Sequence, residues 1–218
     1  MLEIGPGIGS LTHFLNEKIN NLDVVDIDEK SCNILRELYP NLNVINQDIL
    51  KTNITKYNRI ISNVPYSITS ELLEYLLLEG ENIKQLVLMV QEDAYRRIVS
   101  LSGKDYGPLS ILINLSGIVK TAFKVSPNDF IPRPKCTSIV FTIDLFDNKP
   151  LKEQEYKVIK TLFANRRKTL LNNMQLLMNK ENAINVLNSL GLPLTVRGEE
   201  IKPETYIKLV SLCLAEGK

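Results

Sequence analysis

Short apolar runs rich in Val and Ile alternate with longer stretches of helical period as far as residue 90, and no other feature limits the available folds so strongly. Residues 1–4, 22–27, 43–46, 59–62 and 85–90 read as five buried strands, with residues 11–19, 29–38 and 70–78 as crossover helices. After the fifth strand, residues 118–125 and 137–144 are two alternating runs on either side of a Pro-rich loop, which predicts a late antiparallel hairpin. The expected fold class is therefore α/β, a mostly parallel sheet ending in an antiparallel hairpin.

Beyond residue 148 the strand signals stop. Ile159, Phe163, Leu170, Met174, Leu177 and Met178 keep helical spacing, Gly191-Leu192-Pro193 breaks the chain, and Pro203 stands where a first helical residue would. A boundary near residue 148 follows, separating a domain over residues 1–148 from a small all-α domain over residues 149–218. Residues 1–125 carry a net charge of −3 and residues 126–218 a net +4, so a polyanion belongs with the second half.

At 44% hydrophobic the chain is too apolar to be disordered. No run approaches the roughly 18 apolar residues of a membrane span. The N-terminus carries Glu3 and no basic stretch ahead of an apolar core, so the expectation is a cytoplasmic protein without a membrane partner. Cys32, Cys136 and Cys213 are odd in number and lack CxxC spacing, and His13 is the one histidine, so neither a disulfide framework nor a metal site is expected. His13 reads as a surface or partly buried side chain rather than a catalyst.

Glu3-Ile4-Gly5-Pro6-Gly7-Ile8-Gly9 follows the first strand and opens a helix. The glycines let backbone approach a ligand closely, although a tight strand-to-helix turn accounts for them as well. Their spacing is GxGxG, whereas a dinucleotide loop is GxGxxG with pyrophosphate at the helix N-terminus. Asp26, ending the second strand, is placed to accept hydrogen bonds from both hydroxyls of a ribose, and Asp48, after the third, from an exocyclic adenine amine. Together they suggest a nucleoside whose other end lacks phosphates.

Asn63-Val64-Pro65-Tyr66 ends the fourth strand on the same edge. An exocyclic amine on an aromatic base is a poor nucleophile, because its lone pair is delocalised into the ring. The Asn63 side-chain oxygen and a main-chain carbonyl, that of Val64, could accept its hydrogens and localise that pair, while Tyr66 stacks on the base. Taken alone the tetrapeptide also reads as an Asn-x-Pro turn. Arg166, Arg167 and Lys168 read either as a solvated helix face or as phosphate contacts; Arg96 and Arg97 read as salt-bridged helix residues as readily as anything else.

Taken in order, residues 2–12, Gln47-Asp48, Asn63-Val64-Pro65-Tyr66, Gln91 with Gly107, and Phe130-Ile131-Pro132-Arg133-Pro134-Lys135 resemble the ribosomal-RNA adenine N6-dimethyltransferases. The resemblance runs through the whole chain. Phe163-Ala164-Asn165-Arg166-Arg167-Lys168-Thr169-Leu170 with Asn172, Leu190-Gly191-Leu192 and residues 197–201 are similar to the small-subunit branch rather than the macrolide-resistance methylases of the large subunit.

The resemblance implies a class I methyltransferase (Rossmann-like) fold using S-adenosylmethionine. It implies dimethylation of two adjacent adenosines in the 3′-terminal hairpin of small-subunit rRNA, with the assembling small ribosomal subunit as partner and a monomeric enzyme. Glu3, Gly5, Gly7, Asp26, Asp48 and Asn63 would line the cofactor site; Asn63, Tyr66 and Phe130 would hold the target adenine; and Arg166, Arg167 and Lys168 would contact RNA. Val64 and Asp26 stand where the family commonly has Leu and Glu, two conservative departures. Family members also carry an N-terminal extension with a Gln-Asn-Phe-Leu motif, whereas this chain begins inside the first strand, so the resemblance implies a truncated chain of weak or no activity. The alternatives left open are a large-subunit rRNA methylase and a methylase-like RNA- or DNA-binding factor without turnover.

Overall fold

A computed structural model describes residues 1–130, 133–134, 136–149 and 151–216. Its strands are β1 (Leu2–Ile4), β2 (Asp23–Asp26), β3 (Asn43–Asn46), β4 (Arg59–Asn63), β5 (Gln85–Gln91), β6 (Gly117–Val125) and β7 (Ser138–Leu145). They form one sheet in the order β3-β2-β1-β4-β5-β7-β6. The first five pair parallel, β7 runs antiparallel to β5, and β6 antiparallel to β7. This is the mostly parallel sheet with an antiparallel end that the residue pattern predicts, in the class I methyltransferase arrangement. Because β3, β2, β1 and β4 are neighbours and point the same way, their carboxyl ends share one edge, where ligands of open α/β sheets bind.

Strands β1, β2, β4, β5 and β7 carry buried apolar residues, whereas the edge strands β3 and β6 are largely exposed. Leu2, Val24, Ile60, Leu86 and Phe141 are fully buried. The crossover helices are α1 (Thr12–Asn16), α2 (Glu29–Leu38) and α3 (Thr69–Glu79). Helix α2 starts at Asp28, whose carboxylate accepts from the Ser31 amide at 2.9 Å and the Ser31 hydroxyl at 2.7 Å, an N-cap for orphaned donors. Its inner face carries Cys32 and Leu35, and Leu35 packs with Leu22, Val24 and Leu42. Helix α1 is shorter than the periodicity predicts: Leu11 caps it without a side-chain hydrogen bond, and the chain leaves the helix after Asn16.

The chain forms two compact units, residues 1–95 with 117–147 and residues 96–116 with 148–216. A single cut near 148 therefore leaves out an excursion after β5. Helix α4 (Glu92–Val99) begins in the first unit, and α5 (Pro108–Ser116) belongs wholly to the second. Ile111, Leu112, Ile113 and Leu115 on α5 are all buried, so that helix has no polar face to leave in water. It packs on α6 (Glu153–Leu162) and α9 (Pro203–Glu216), while α7 (Leu170–Met174) and α8 (Lys180–Ser189) complete the second unit. The core there includes Tyr106, Phe163 and Tyr206, with Phe163 stacked on Tyr206 at 5.9 Å between centroids.

Leu35 is the residue through which α2 holds β2, and it also stands 2.8 Å from where a Cβ on Gly9 would fall. Leu35→Ala should lower stability by about 2–5 kcal/mol, the usual range for emptying a buried leucine site. Urea unfolding should show a lower midpoint at unchanged slope; an unchanged midpoint would show that this cluster is not a keystone of the first unit.

Candidate active site

The turn after β1 needs three residues in the left-handed region: Gly5, Gly7 and Gly9 have φ of 65°, 55° and 95°. No non-glycine among the described residues has positive φ. At Gly9 the demand is double, since a side chain there would also strike Leu35 of α2. The Gly5 amide donates to the Val25 carbonyl at 2.9 Å, and the Gly7 amide donates to Asp26 Oδ2 at 3.1 Å. The Asp28 amide donates to Asp26 Oδ1 at 2.9 Å, so each carboxylate oxygen is held by one backbone donor and retains capacity to accept from a ligand.

The neighbouring tip, beyond β3, is organised in the same way. Asn46 Nδ2 donates to the Asp26 and Ile27 carbonyls at 3.1 and 3.2 Å, tying β3 to β2. Asp48 Oδ1 accepts from the Leu50 amide at 3.0 Å, capping the turn Ile49–Lys51. A cleft of about 390 Å³ opens between these tips. Its wall includes Gly5, Asp26 and Asp48, with Ile27, Gln47, Leu50 and Pro65. Three further residues were not anticipated, Ser67 and Ile68 from the short 3-10 turn Tyr66–Ile68 and Glu71 from the first turn of α3; their signal was their place directly after Asn63-Val64-Pro65-Tyr66 at helical spacing.

The lining has a definite chemistry. It carries the carboxylates of Asp26, Asp48 and Glu71 and no lysine or arginine among the described residues. Such a wall accepts hydroxyls and amines and favours a positively charged ligand, but it offers nothing to a pyrophosphate. The residues present therefore fit the nucleoside and sulfonium of S-adenosylmethionine and disfavour a dinucleotide. Gly7 serves the cleft through its hydrogen bond to Asp26. Glu3, 2% exposed, is not among the cleft's lining residues, although its neighbour Ile4 is.

A second concavity of about 250 Å³ is lined by Asn63, Val64, Pro65, Tyr66 and Phe130, which brings together the three residues assigned to the target base. Val64 is anchored by its amide, which donates to the Met89 carbonyl at 3.0 Å, and its side chain is buried. Asn63 and Tyr66 are exposed, Tyr66 at 47%, and so are open to an incoming ring. Phe130 follows the turn Pro127–Asp129, whose capping box joins Ser126 Oγ to the Asn128 amide and Asp129 Oδ2 to the Ser126 amide. Of the motif that Phe130 begins, residues 131, 132 and 135 lie outside the described residues. Pro65 lines both concavities, so the two adjoin there.

His13 is exposed on α1, with its ring 3.4 Å from the Tyr39 hydroxyl and 3.6 Å from Glu17, away from either concavity's lining. In the second unit, Arg167 and Lys168 are exposed and have no side-chain partner among the described residues. Arg166 differs, its guanidinium being taken up by two backbone carbonyls and Glu199.

The family described as Ribosomal RNA adenine dimethylase matches residues 1–212. The chain is 35% identical to Ribosomal RNA small subunit methyltransferase A of Malacoplasma penetrans over 96% of its own length and 79% of the relative's. It is also 35% identical to the protein of that description from Alkaliphilus oremlandii, over 94% and 79%. Among solved structures, a dimethyladenosine transferase from Plasmodium falciparum superposes with a TM-score of 0.83 at 24% identity, covering 99% of this chain and 90% of that one. The 23S rRNA methyltransferase ErmE gives 0.69 at 22% identity, covering 97% and 89%. At such identities these two likenesses bear on the fold alone.

Burial pushes the Glu3 carboxyl up from 4.5 to about 7, with the Thr12 hydroxyl beside it pulling weakly the other way. Glu3 Oε2 and Thr12 Oγ1 are buried without a hydrogen-bond partner among the described residues, a cost concentrated under the glycine turn. Since the folded chain holds this proton more tightly than the unfolded one, stability is highest below 4.5 and falls as pH rises to about 7. Glu3→Gln removes that titration. The stability of the variant minus that of the unsubstituted chain should therefore rise by about 3 kcal/mol between pH 4.5 and pH 8, read from urea melts at each pH. A difference that does not change with pH would contradict the burial argument.

Proposed function

Because the chain belongs to the ribosomal RNA adenine dimethylase family, we propose that it dimethylates N6 of two adjacent adenosines in the 3′-terminal hairpin of small-subunit rRNA, using S-adenosylmethionine. The observation that carries this reading is the shared wall at Pro65: an acidic cleft suited to a nucleoside abuts a concavity lined by Asn63, Tyr66 and Phe130. Donor and acceptor would thus be brought together beside Pro65. The small-subunit descriptions of the relatives favour that substrate over the large subunit, and the presence of Asn63 and Tyr66 on one concavity favours an enzyme over a binding factor.

Bound in the cleft, S-adenosylmethionine would supply a methyl group made electrophilic by its positive sulfur. The rest falls to the protein. Asp26, fixed by the Gly7 and Asp28 amides, would hold the ribose, and Asp48 would receive the adenine amine of the cofactor. Asn63 and the Val64 carbonyl would accept the hydrogens of the target N6 and localise its lone pair. Tyr66 and Phe130 would clamp the extruded ring, replacing the stacking lost on leaving the RNA. No general base is needed before transfer, because the amine proton becomes acidic only once the nitrogen is alkylated. Catalysis is then positioning, which suits a site without histidine. The cationic surface of the second unit would supply the RNA affinity that the acidic first half does not.

The test is transfer of labelled methyl to unmethylated small subunits in single turnover, with the protein in excess. The chain should label adenosine N6. Asn63→Ala should lose at least about 100-fold in rate while keeping RNA affinity, since its hydrogen bonds matter most as the nitrogen changes geometry. Tyr66→Ala should in addition weaken base capture by about 1–3 kcal/mol, the worth of one stacking contact. Full activity of Asn63→Ala would refute the assigned chemistry.

A further inference from the structure

Tyr75 stands on α3 one turn beyond Glu71, so the two share a face of that helix, and α3 packs against the turn Ile49–Lys51. Glu71 reaches the cleft wall, whereas Tyr75 is not part of it. The Tyr75 hydroxyl instead donates to the Thr52 carbonyl at 2.6 Å, and the Thr52 hydroxyl donates to the Asp48 carbonyl at 2.9 Å. Two hydrogen bonds thus run from α3 to a residue that faces the cleft. Thr52 is 4% exposed, so losing either partner leaves a polar group with little access to water. Burial raises the pKa of the Tyr75 hydroxyl and the Glu79 carboxylate adds to it, which keeps the hydroxyl a donor.

The other bonds of this turn do a different job. Within it, the Lys51 amide donates to the Asp48 carbonyl at 3.0 Å and the Thr52 amide to the Ile49 carbonyl at 3.1 Å. The Leu50 amide holds Asp48 Oδ1, and Ile49 is buried beneath. Apolar burial sets how deep the turn sits but has no direction, and the internal bonds survive a rotation of the turn as one body. Directed bonds to neighbouring elements fix that rotation. The Gln47 amide, donating to the Asp26 carbonyl at 3.0 Å, ties the start of the turn to β2, and Tyr75 ties its end to α3. Held at both ends, the turn presents the Asp48 carboxylate to the cleft on one bearing.

From this geometry we infer that Tyr75 is a positioning residue: through Thr52 it aims Asp48 at the exocyclic amine of the cofactor's purine, and so enforces adenine over hypoxanthine. The inference rests on the cofactor reading above, in which Asp48 receives that amine. A 6-oxo purine puts a carbonyl oxygen where adenine has its amine. A carboxylate held at that point attracts the amine and repels the oxygen, whereas one free to swing aside does neither strongly. Selectivity is a difference between two affinities, so it reports the aim of Asp48 more directly than either affinity alone.

The experiment titrates the chain calorimetrically with S-adenosylhomocysteine and with S-inosylhomocysteine, and takes the ratio of the two affinities. The unsubstituted chain should favour the adenosyl ligand by at least about 10-fold, the worth of one hydrogen bond to a charged group. Tyr75→Phe keeps the ring and its packing and removes only the hydroxyl; it should narrow the ratio by about 3- to 10-fold, mostly through weaker binding of the adenosyl ligand. Thr52→Val cuts the next link and should narrow the ratio by a like amount, with the double substitution going no further than either alone. Asp48→Asn should also narrow it, and adding Tyr75→Phe to that variant should then change nothing. A merely structural tyrosine would lower the urea midpoint or weaken both ligands equally. A ratio that responds to Asp48→Asn but not to Tyr75→Phe would therefore overturn the inference alone. If the chain failed to bind S-adenosylhomocysteine, or if Asp48→Asn left the ratio untouched, the reading of the cleft would fall and the inference with it.

Discussion

The hydrogen bond from the Gly7 amide to Asp26 is the contact on which the rest of the candidate site depends. It joins the turn after β1 to the tip of β2, and it can form only because the turn takes up left-handed conformations at Gly5, Gly7 and Gly9. Once Asp26 is fixed, Asn46 can bridge to the Asp26 and Ile27 carbonyls, and the third strand tip falls into line with the first two. The strand order does the remainder. With β4 on the other side of β1, Asn63 and Pro65 arrive next to the glycine turn, where Pro65 Cγ is 4.0 Å from the position of a Cβ on Gly5.

Electrostatics divides the labour between the two units. The cleft is walled by Asp26, Asp48 and Glu71, an arrangement that repels phosphates and suits a cationic ligand. The proposed polyanion would be served by cations of the second unit such as Arg167 and Lys168, whose side chains are uncommitted among the described residues. A chain whose charges nearly cancel, 26 basic against 25 acidic, can thus handle ligands of opposite sign at separate places.

Much of this was legible in the residues because it rests on backbone demands. Positive-φ turns call for glycine, parallel buried strands call for continuous Val and Ile, and acids at strand ends project onto the binding edge. Helix α2 was readable to the residue, since Asp28 and the period of Cys32 and Leu35 mark its start and its face. Helix α5 was not, because an apolar run buried on all sides has no period to read, and it carried the 96–116 excursion with it. Glu71 on the cleft wall was hidden for a different reason: it looks like any acid in a first helical turn until β4 sets the direction of α3. The contacts of Arg166 were equally invisible, since two of its three acceptors are backbone carbonyls, which leave no trace in residue type.

The central claim is that the glycine turn and Asp26 form a nucleoside site with no place for a pyrophosphate. Calorimetric titration of the chain with S-adenosylhomocysteine and, separately, with NAD tests it most directly. The account predicts one-to-one binding of S-adenosylhomocysteine that Asp26→Ala removes, and no heat from NAD. Binding of NAD with none of S-adenosylhomocysteine would contradict it.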